Sequence, residues 1–230
     1  CLSSLTCIGL RMSNTWLTLG IDFTLARNWP KAMKALEKSV ELEADDVVYV
    51  WLGYVYNEVG RHQDAVDTVQ LYINTHPTDS IALNNKGSAL IELKRFNDAI
   101  VCLDQALREN PEYAEAFNNK GSAYNGLKEF EYAIISLKAC LALNPNHVNA
   151  LNNMGFALMG LDRDLEALES FSKGLELSPT HPNLLYNLAD AHHRLNNLEE
   201  AKKYYSKCVE GAPDSLEFRL LLGELCCELG

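Results

Sequence analysis

The 230-residue sequence lacks several features that would indicate an enzyme or a membrane protein. It has no apolar run near the roughly 18 residues that a membrane-spanning helix requires. Gly-rich phosphate loops, Cys-x-x-Cys pairs and His-Glu-x-x-His motifs are all missing. The one histidine pair, His192 and His193, would point to different faces of a helix and so does not indicate a metal site. These absences predict a chain without catalytic residues, metal or cofactor.

Clusters of Lys and Arg are also missing, and 31 acidic residues against 20 basic ones give a net charge of −11. Phosphate binding needs clustered cations, so the charge argues against a nucleic-acid partner. It favours a neutral to basic protein or peptide partner. The seven cysteines show no paired framework. They therefore favour a reducing compartment, and we expect a cytoplasmic protein. Cys226 and Cys227 are expected on a buried apolar helix face.

What the sequence does contain is a strict period of 34 residues in three residue types. A fixed period in this range indicates supersecondary units that stack on one another. The recurring residues are Gly53, Gly87, Gly121 and Gly155; Ala65, Ala99, Ala133, Ala167 and Ala201; and Pro77, Pro111, Pro145, Pro179 and Pro213.

The segment 114–147 shows what one unit contains. Its first stretch places Phe117 and Gly121 at helical spacing, and its second places Ala133 and Leu137 on one apolar stripe. A short polar turn separates the two stretches, and an Asn-Pro-Asn sequence ends the second. The unit is therefore predicted to be two antiparallel helices joined by a tight turn.

These residues, in this order, are similar to the tetratricopeptide repeat signature: an aromatic residue, a small residue and Tyr, followed by Ala, an apolar residue and Pro. The resemblance implies an all-α fold, an α-solenoid wound as a right-handed superhelix of antiparallel helix pairs. Positions in each repeat are numbered 1 to 34, with Ala114 at position 1. The predicted repeats are 13–45, 46–79, 80–113, 114–147, 148–181 and 182–215, followed by a half repeat at 216–230.

The N-terminal residues fall outside this pattern. Cys1 is compatible with the lipid-modified N-terminus of a bacterial lipoprotein, whereas the apolar residues at 2–10 indicate a remnant helix or cap over 1–12. We therefore expect a fragment of a longer chain. The first repeat is one residue shorter than the others and has Ala44 where proline is expected.

The resemblance implies that the first helix of each repeat lines a concave groove. Positions 2, 5, 6, 9, 12 and 13 share one face of that helix. Asparagine recurs on this face, and its amide can bind the donors and acceptors of a peptide backbone. The predicted peptide-binding residues are Asn85, Asn119, Asn153 and Asn187 at position 6, Asn84, Asn118 and Asn152 at position 5, Ser88 and Ser122 at position 9, and Asn125 at position 12. They resemble the asparagine ladder in the tetratricopeptide arm of O-linked N-acetylglucosamine transferase.

Ligand specificity is expected from side-chain pockets on the same face. Positions 2, 5 and 6 carry no Lys or Arg in any repeat, which excludes the carboxylate clamp of tetratricopeptide co-chaperones. The groove-facing candidates are apolar or aromatic, and the alternative role for each is packing between repeats. They are Trp51, Tyr54, Phe156, Met159 and Tyr186.

The leading hypothesis is a non-enzymatic scaffold that binds a protein or peptide segment in the groove. A second is a structural unit that assembles through its ends, because the helix predicted over 216–229 is apolar on nearly every side. A third is the recognition arm of a larger enzyme such as a glycosyltransferase.

Overall fold

A computed structural model describes the backbone of residues 2–42 and 45–229 and the side chains from residue 14 onward within those ranges. Ala44, Cys1 and Gly230 lie outside the described residues. The described chain is entirely helical and contains no strand, so the predicted all-α solenoid of helix pairs is confirmed. The helices are α1 (Leu2–Leu25), α2 (Trp29–Glu41), α3 (Val48–Glu58), α4 (His62–Ile73), α5 (Ser80–Glu92), α6 (Phe96–Glu109), α7 (Ala114–Gly126), α8 (Phe130–Leu143), α9 (Val148–Gly160), α10 (Asp164–Leu177), α11 (Pro182–Arg194), α12 (Leu198–Gly211) and α13 (Leu216–Leu229).

The helices form two compact units, unit 1 (Cys1–Asn119) and unit 2 (Lys120–Gly230). In unit 1, α1 contacts α2, α3 contacts α4, and α5 contacts α6. In unit 2, α9 contacts α10, α11 contacts α12, and α12 contacts α13. The first helix α1 starts at Leu2, so the remnant predicted over 1–12 is continuous with the first helix of the repeat 13–45.

The recurring small residues allow the two helices of a repeat to approach closely. The alanines at position 20, from Ala32 to Ala201, are each at most 1% exposed. Gly155 shows the need for a small residue at position 8, because a Cβ there would lie 2.4 Å from the ring of Phe171 on the paired helix. A methyl group at this place would force the helices apart.

The turn inside each repeat depends on one residue with a positive φ angle at position 15. Three of these residues are Gly, Asp or Asn, which adopt a positive φ most readily, and the other three are Arg or Lys, which do not indicate such a turn. The residues are Arg27 (54°), Gly60 (81°), Lys94 (59°), Lys128 (60°), Asp162 (57°) and Asn196 (60°). In the third repeat the turn is closed by backbone hydrogen bonds from Lys94 N to Ile91 O (2.8 Å) and from Arg95 N to Leu90 O (2.9 Å).

Polar residues before the first helices cap them. Asp79 Oδ1 accepts hydrogen bonds from the amides of Ile81 and Ala82, both at 2.9 Å. His147 Nδ1 does the same for the Ala150 amide at 3.2 Å. Each bond pairs an amide that the helix itself leaves without an acceptor. Histidine in these turns therefore serves to cap a helix.

The last helix, α13, contacts α12, and its side chains also reach α11. Leu225 is 1% exposed and belongs to an apolar cluster with Ala189, Ala201 and Tyr205. Cys226 and Cys227 are exposed, so the prediction that they lie on a buried face is wrong. Apolar side chains on another part of this helix, those of Leu216 and Leu220, are exposed. In the part of the chain that the structure describes, no helix is long and apolar enough to cross a membrane.

Candidate functional site

The position-6 asparagines lie on the first helices α5, α7, α9 and α11. The side chains of Asn85, Asn119, Asn153 and Asn187 are all partly exposed. Ser88, Ser122 and Asn152, also predicted at the groove, are partly exposed as well. Each first helix therefore presents amide or hydroxyl groups to solvent on the predicted binding face. Ligand contact by these residues stays a prediction.

Amides of successive first helices are joined by the same hydrogen bond in both units. In unit 1, Asn119 Nδ2 donates to Asn84 Oδ1 at 2.9 Å. In unit 2, Asn187 Nδ2 donates to Asn152 Oδ1 at 2.8 Å. In each case the position-6 side chain of one repeat reaches the position-5 side chain of the preceding repeat. The asparagine pattern is thus partly a network between helices.

Three predicted site residues are buried rather than exposed at the groove. Asn84 and Asn118 are each 4% exposed, and Asn125 is 7% exposed. Position 5 lies at the contact between adjacent first helices, where Asn84 accepts the bond from Asn119 and Asn118 Nδ2 donates to Asn119 Oδ1 at 3.3 Å. These side chains orient their neighbours, and burial keeps them from direct contact with a ligand.

Asn125 has an incomplete set of hydrogen bonds. Its Nδ2 donates to the Asn153 carbonyl at 2.9 Å, while its buried Oδ1 has no hydrogen-bond partner among the described atoms. The equivalent Asn57 has a partner at each end of its amide, because its Nδ2 donates to Ser88 Oγ at 3.2 Å and its Oδ1 lies 2.8 Å from His62 Nδ1.

Two aromatic residues explain the difference. Phe130 takes the repeat position of His62, and Phe156 takes that of Ser88, so the partners of Asn57 have no counterparts beside Asn125. The two rings instead contact each other edge to face, with centroids 6.4 Å apart.

Comparison with known families agrees with this geometry. Three models described as tetratricopeptide repeat match residues 80–113, 114–147 and 147–214, which together span more than half of the chain. The chain belongs to the tetratricopeptide repeat family. Repeats of this family generally mediate protein–protein interaction or scaffolding without catalysing a reaction. This general role supports protein binding by the present chain.

Solved tetratricopeptide structures share the fold. TTC0263, a thermophilic protein of Thermus thermophilus, superposes with a TM-score of 0.70 at 22% identity over 80% of this chain and 100% of its own. PilF of Pseudomonas aeruginosa gives 0.74 at 20% identity over 93% and 98%. The APC/C hetero-tetramer Cut9-Hcn1 gives 0.85 at 17% identity over 93% of this chain and 42% of that one. No curated protein sequence matches the chain.

One apolar pocket lies on the first-helix face of the repeats in unit 1, the face on which ligand binding is predicted. It has a volume of about 210 Å³ and is lined by Val50, Trp51, Tyr54, Ile81 and Asn85. Trp51 and Tyr54 were predicted to face the groove. Val50 and Ile81 were not, although they occupy positions 5 and 2 of the same face and could have been found by that spacing.

The other predicted apolar contacts divide between surface and interior. Phe156 is 46% exposed, and Tyr186 is partly exposed with its ring edge-on to Tyr205. Met159 is only 6% exposed, which favours the alternative of packing between repeats over a groove-facing role. Asn125, at the same position 12, is also buried and bonds to the next first helix at the Asn153 carbonyl.

Acidic groups dominate the charge near these side chains. Burial, together with the Glu58 and Glu115 carboxylates, raises the pKa of Tyr54, and the Arg27 guanidinium opposes the shift. Burial likewise raises the pKa of Asp190, and Arg194 opposes it. Within the described ranges no three His, Cys, Asp or Glu side chains are grouped so that they could hold a metal ion.

Proposed function

We propose that the chain binds a protein or peptide segment on the first-helix face of its repeats through the position-6 asparagines. The observation that supports this is the repeated amide bond, Asn119 to Asn84 and Asn187 to Asn152. A side-chain amide carries two N–H donors and an oxygen with two lone pairs. Each pair holds a partly exposed amide in a fixed orientation and leaves one of its N–H groups for a backbone carbonyl.

Hydrogen bonds of this kind limit the affinity. Each contributes roughly 0.5–1.5 kcal/mol net, so four contribute about 2–6 kcal/mol. A micromolar complex requires about 8 kcal/mol. Additional binding free energy must therefore come from side-chain contacts, and the net charge of −11 favours a neutral to basic segment. A cytoplasmic location stays a prediction.

The test uses a random twelve-residue peptide library displayed on phage and selected on the whole chain. Selected peptides are then measured against a variant with Asn85, Asn119, Asn153 and Asn187 all changed to Ala. We expect at least a tenfold weaker Kd, because the four amides proposed to contact the ligand are lost. Asn97→Ala combined with Ser172→Ala changes exposed second-helix residues and serves as the matched control. Unchanged binding by a quadruple variant with wild-type helicity would contradict the proposal.

A second candidate function is self-association through α13. Leu216 is 63% exposed and Leu220 is 55% exposed on this helix, next to Leu221 and Leu222. Contiguous exposed apolar surface is typical of protein contact sites. Light scattering at rising concentration should show growing particle mass for the wild type and a constant monomer for Leu216→Lys/Leu220→Lys. A wild type that stays monomeric at high concentration contradicts this function.

A further inference from the structure

Asn85 differs from the hydrogen-bonded position-6 asparagines in one respect. Its side chain makes no hydrogen bond to any described residue, whereas Asn119 and Asn187 each donate to an asparagine of the preceding repeat. The reason lies one repeat earlier. Position 5 of that repeat is Val50, whose side chain has no hydrogen-bond acceptor. The corresponding residues beside Asn119 and Asn187 are Asn84 and Asn152. The whole amide of Asn85 is therefore available to a ligand.

Val50 also forms part of the pocket that Asn85 borders. The remaining wall consists of Trp51 and Tyr54 from α3 and Ile81 from α5. Tyr54 is 37% exposed and Ile81 is 55% exposed, so the pocket opens to solvent. A dry apolar cavity of about 150 Å³ holds a benzene molecule. The volume of about 210 Å³ is thus sufficient for a phenyl ring.

The charge around the pocket selects the sequence next to that ring. Glu58 and Glu115 both act on the Tyr54 hydroxyl, and one cation, Arg27, opposes them. The acidic groups at this rim add to the net charge of −11 that the chain carries. A ligand with Lys or Arg on either side of its aromatic residue complements that rim, and the attraction is weakened by salt.

We propose that this pocket in unit 1 binds the aromatic side chain of a basic peptide, with the amide of Asn85 bonded to the peptide main chain at the same residue. The inference rests on the proposed function, because it adds an anchoring residue to the segment held by the position-6 asparagines. A pocket for an apolar anchor supplies the binding energy that backbone hydrogen bonds alone do not.

The test compares three fluorescein-labelled synthetic peptides with the whole chain by fluorescence anisotropy. The first is Gly-Ser-Lys-Ser-Phe-Ser-Lys-Ser-Gly, the second has Ser in place of Phe, and the third has Glu in place of both Lys residues. Burial of a phenyl ring should make the first bind about tenfold to a hundredfold more tightly than the second. The acidic peptide should bind at least tenfold more weakly than the first at low salt.

Variants locate the effect in the pocket. Ile81→Ser should remove most of the preference for Phe over Ser, and Asn85→Ala should weaken both Lys-containing peptides about twofold to tenfold. Val101→Ser, at a 66% exposed apolar residue on the second helix α6 of the same unit, should change nothing. The indole N–H resonance of Trp51 should shift with the Phe peptide and stay unchanged with the Ser peptide.

Three results overturn the inference in different ways. Equal binding of the Phe and Ser peptides, with both weakened by Asn119→Ala, overturns the pocket and leaves the proposed function intact. Absence of binding by all three peptides, together with failure of the library selection, overturns both. A preference for Phe that survives Ile81→Ser also overturns the pocket.

Discussion

The amide nitrogen of Asn119 donates a 2.9 Å hydrogen bond to the side-chain oxygen of Asn84 on the preceding first helix. Asn187 and Asn152 repeat this geometry at 2.8 Å. One residue type therefore has two roles in the same array. The position-5 member is an internal acceptor between helices, and the position-6 member is oriented by it.

Removal of the internal acceptor should cost stability. Asn84 is 4% exposed, so Asn84→Ala leaves a cavity and takes the bond partner from Asn119. Loss of a buried hydrogen-bond partner costs about 1–3 kcal/mol, and a chain of this length loses roughly 2–4 °C in Tm per kcal/mol. We expect Tm to fall by about 2–12 °C in a circular dichroism melt. Asn97→Ala, at an exposed site on α6, should stay within about 0.5 kcal/mol of the wild type. Equal melting of both variants would show that the pair is energetically unimportant.

The close contact at Gly155 predicts that a Gly→Ala substitution changes stability in opposite directions at two sites with the same repeat position. Gly155→Ala places a methyl group 2.4 Å from the Phe171 ring, and overpacking of this kind costs about 1–3 kcal/mol. Gly223→Ala, at the same position in α13, meets no atom within 4 Å and should gain about 0.5–1 kcal/mol from helix propensity. Urea denaturation measures both changes. A stabilised Gly155→Ala variant would mean that the helices can separate without cost.

The positive φ angle of Lys128 predicts a stabilising glycine. At φ 60° a side chain crowds the backbone, and glycine does not. Lys128→Gly should raise the free energy of unfolding by up to about 1 kcal/mol. Lys138→Gly, in the interior of the helix α8, should lower it by about 1 kcal/mol. Urea denaturation of the two variants measures both changes in the free energy of unfolding, which should have opposite signs. Loss of stability in both variants would contradict the turn geometry.

His192 predicts a pH dependence in unit 2. Burial lowers the pKa of His192, Lys203 adds to the shift and Glu200 opposes it. The ring stacks on Tyr204 with centroids 5.6 Å apart, and Nδ1 is buried without a described hydrogen-bond partner. As pH falls through the ordinary value of 6.5, the unfolded chain binds this proton before the folded one does. Stability should therefore be lost as pH falls.

The variant His192→Phe separates this effect from other titrations, because it keeps an aromatic ring beside Tyr204 and removes the proton. The urea midpoint of the wild type should fall more between pH 7.5 and pH 5.5 than that of the variant. Parallel curves for the two proteins would show that His192 does not contribute.

Which amides are free could not be predicted from the repeat pattern. The 34-residue period correctly predicted the helix pairs, and position 6 correctly identified four partly exposed asparagines. Asn84 and Asn118 looked equivalent to them in the pattern but are buried. Helical periodicity places a residue on a face, whereas burial depends on how closely the next helix approaches that face. The positive φ at Lys94 and Lys128 was hidden for a similar reason, since their side chains do not resemble those of usual turn residues.

By itself, the sequence determined the repeat, the helix pairing inside it and the asparagine positions, because these depend on local spacing and on small residues that recur every 34 positions. The tertiary structure decided which asparagines bond to each other. It also showed that Val50 leaves Asn85 without a partner beside an apolar pocket. The physical reason is that a hydrogen bond between repeats requires two side chains on different helices to meet. An asparagine that lies beside an apolar side chain instead, as Asn85 lies beside Val50, can be recognised only once the helices are packed together.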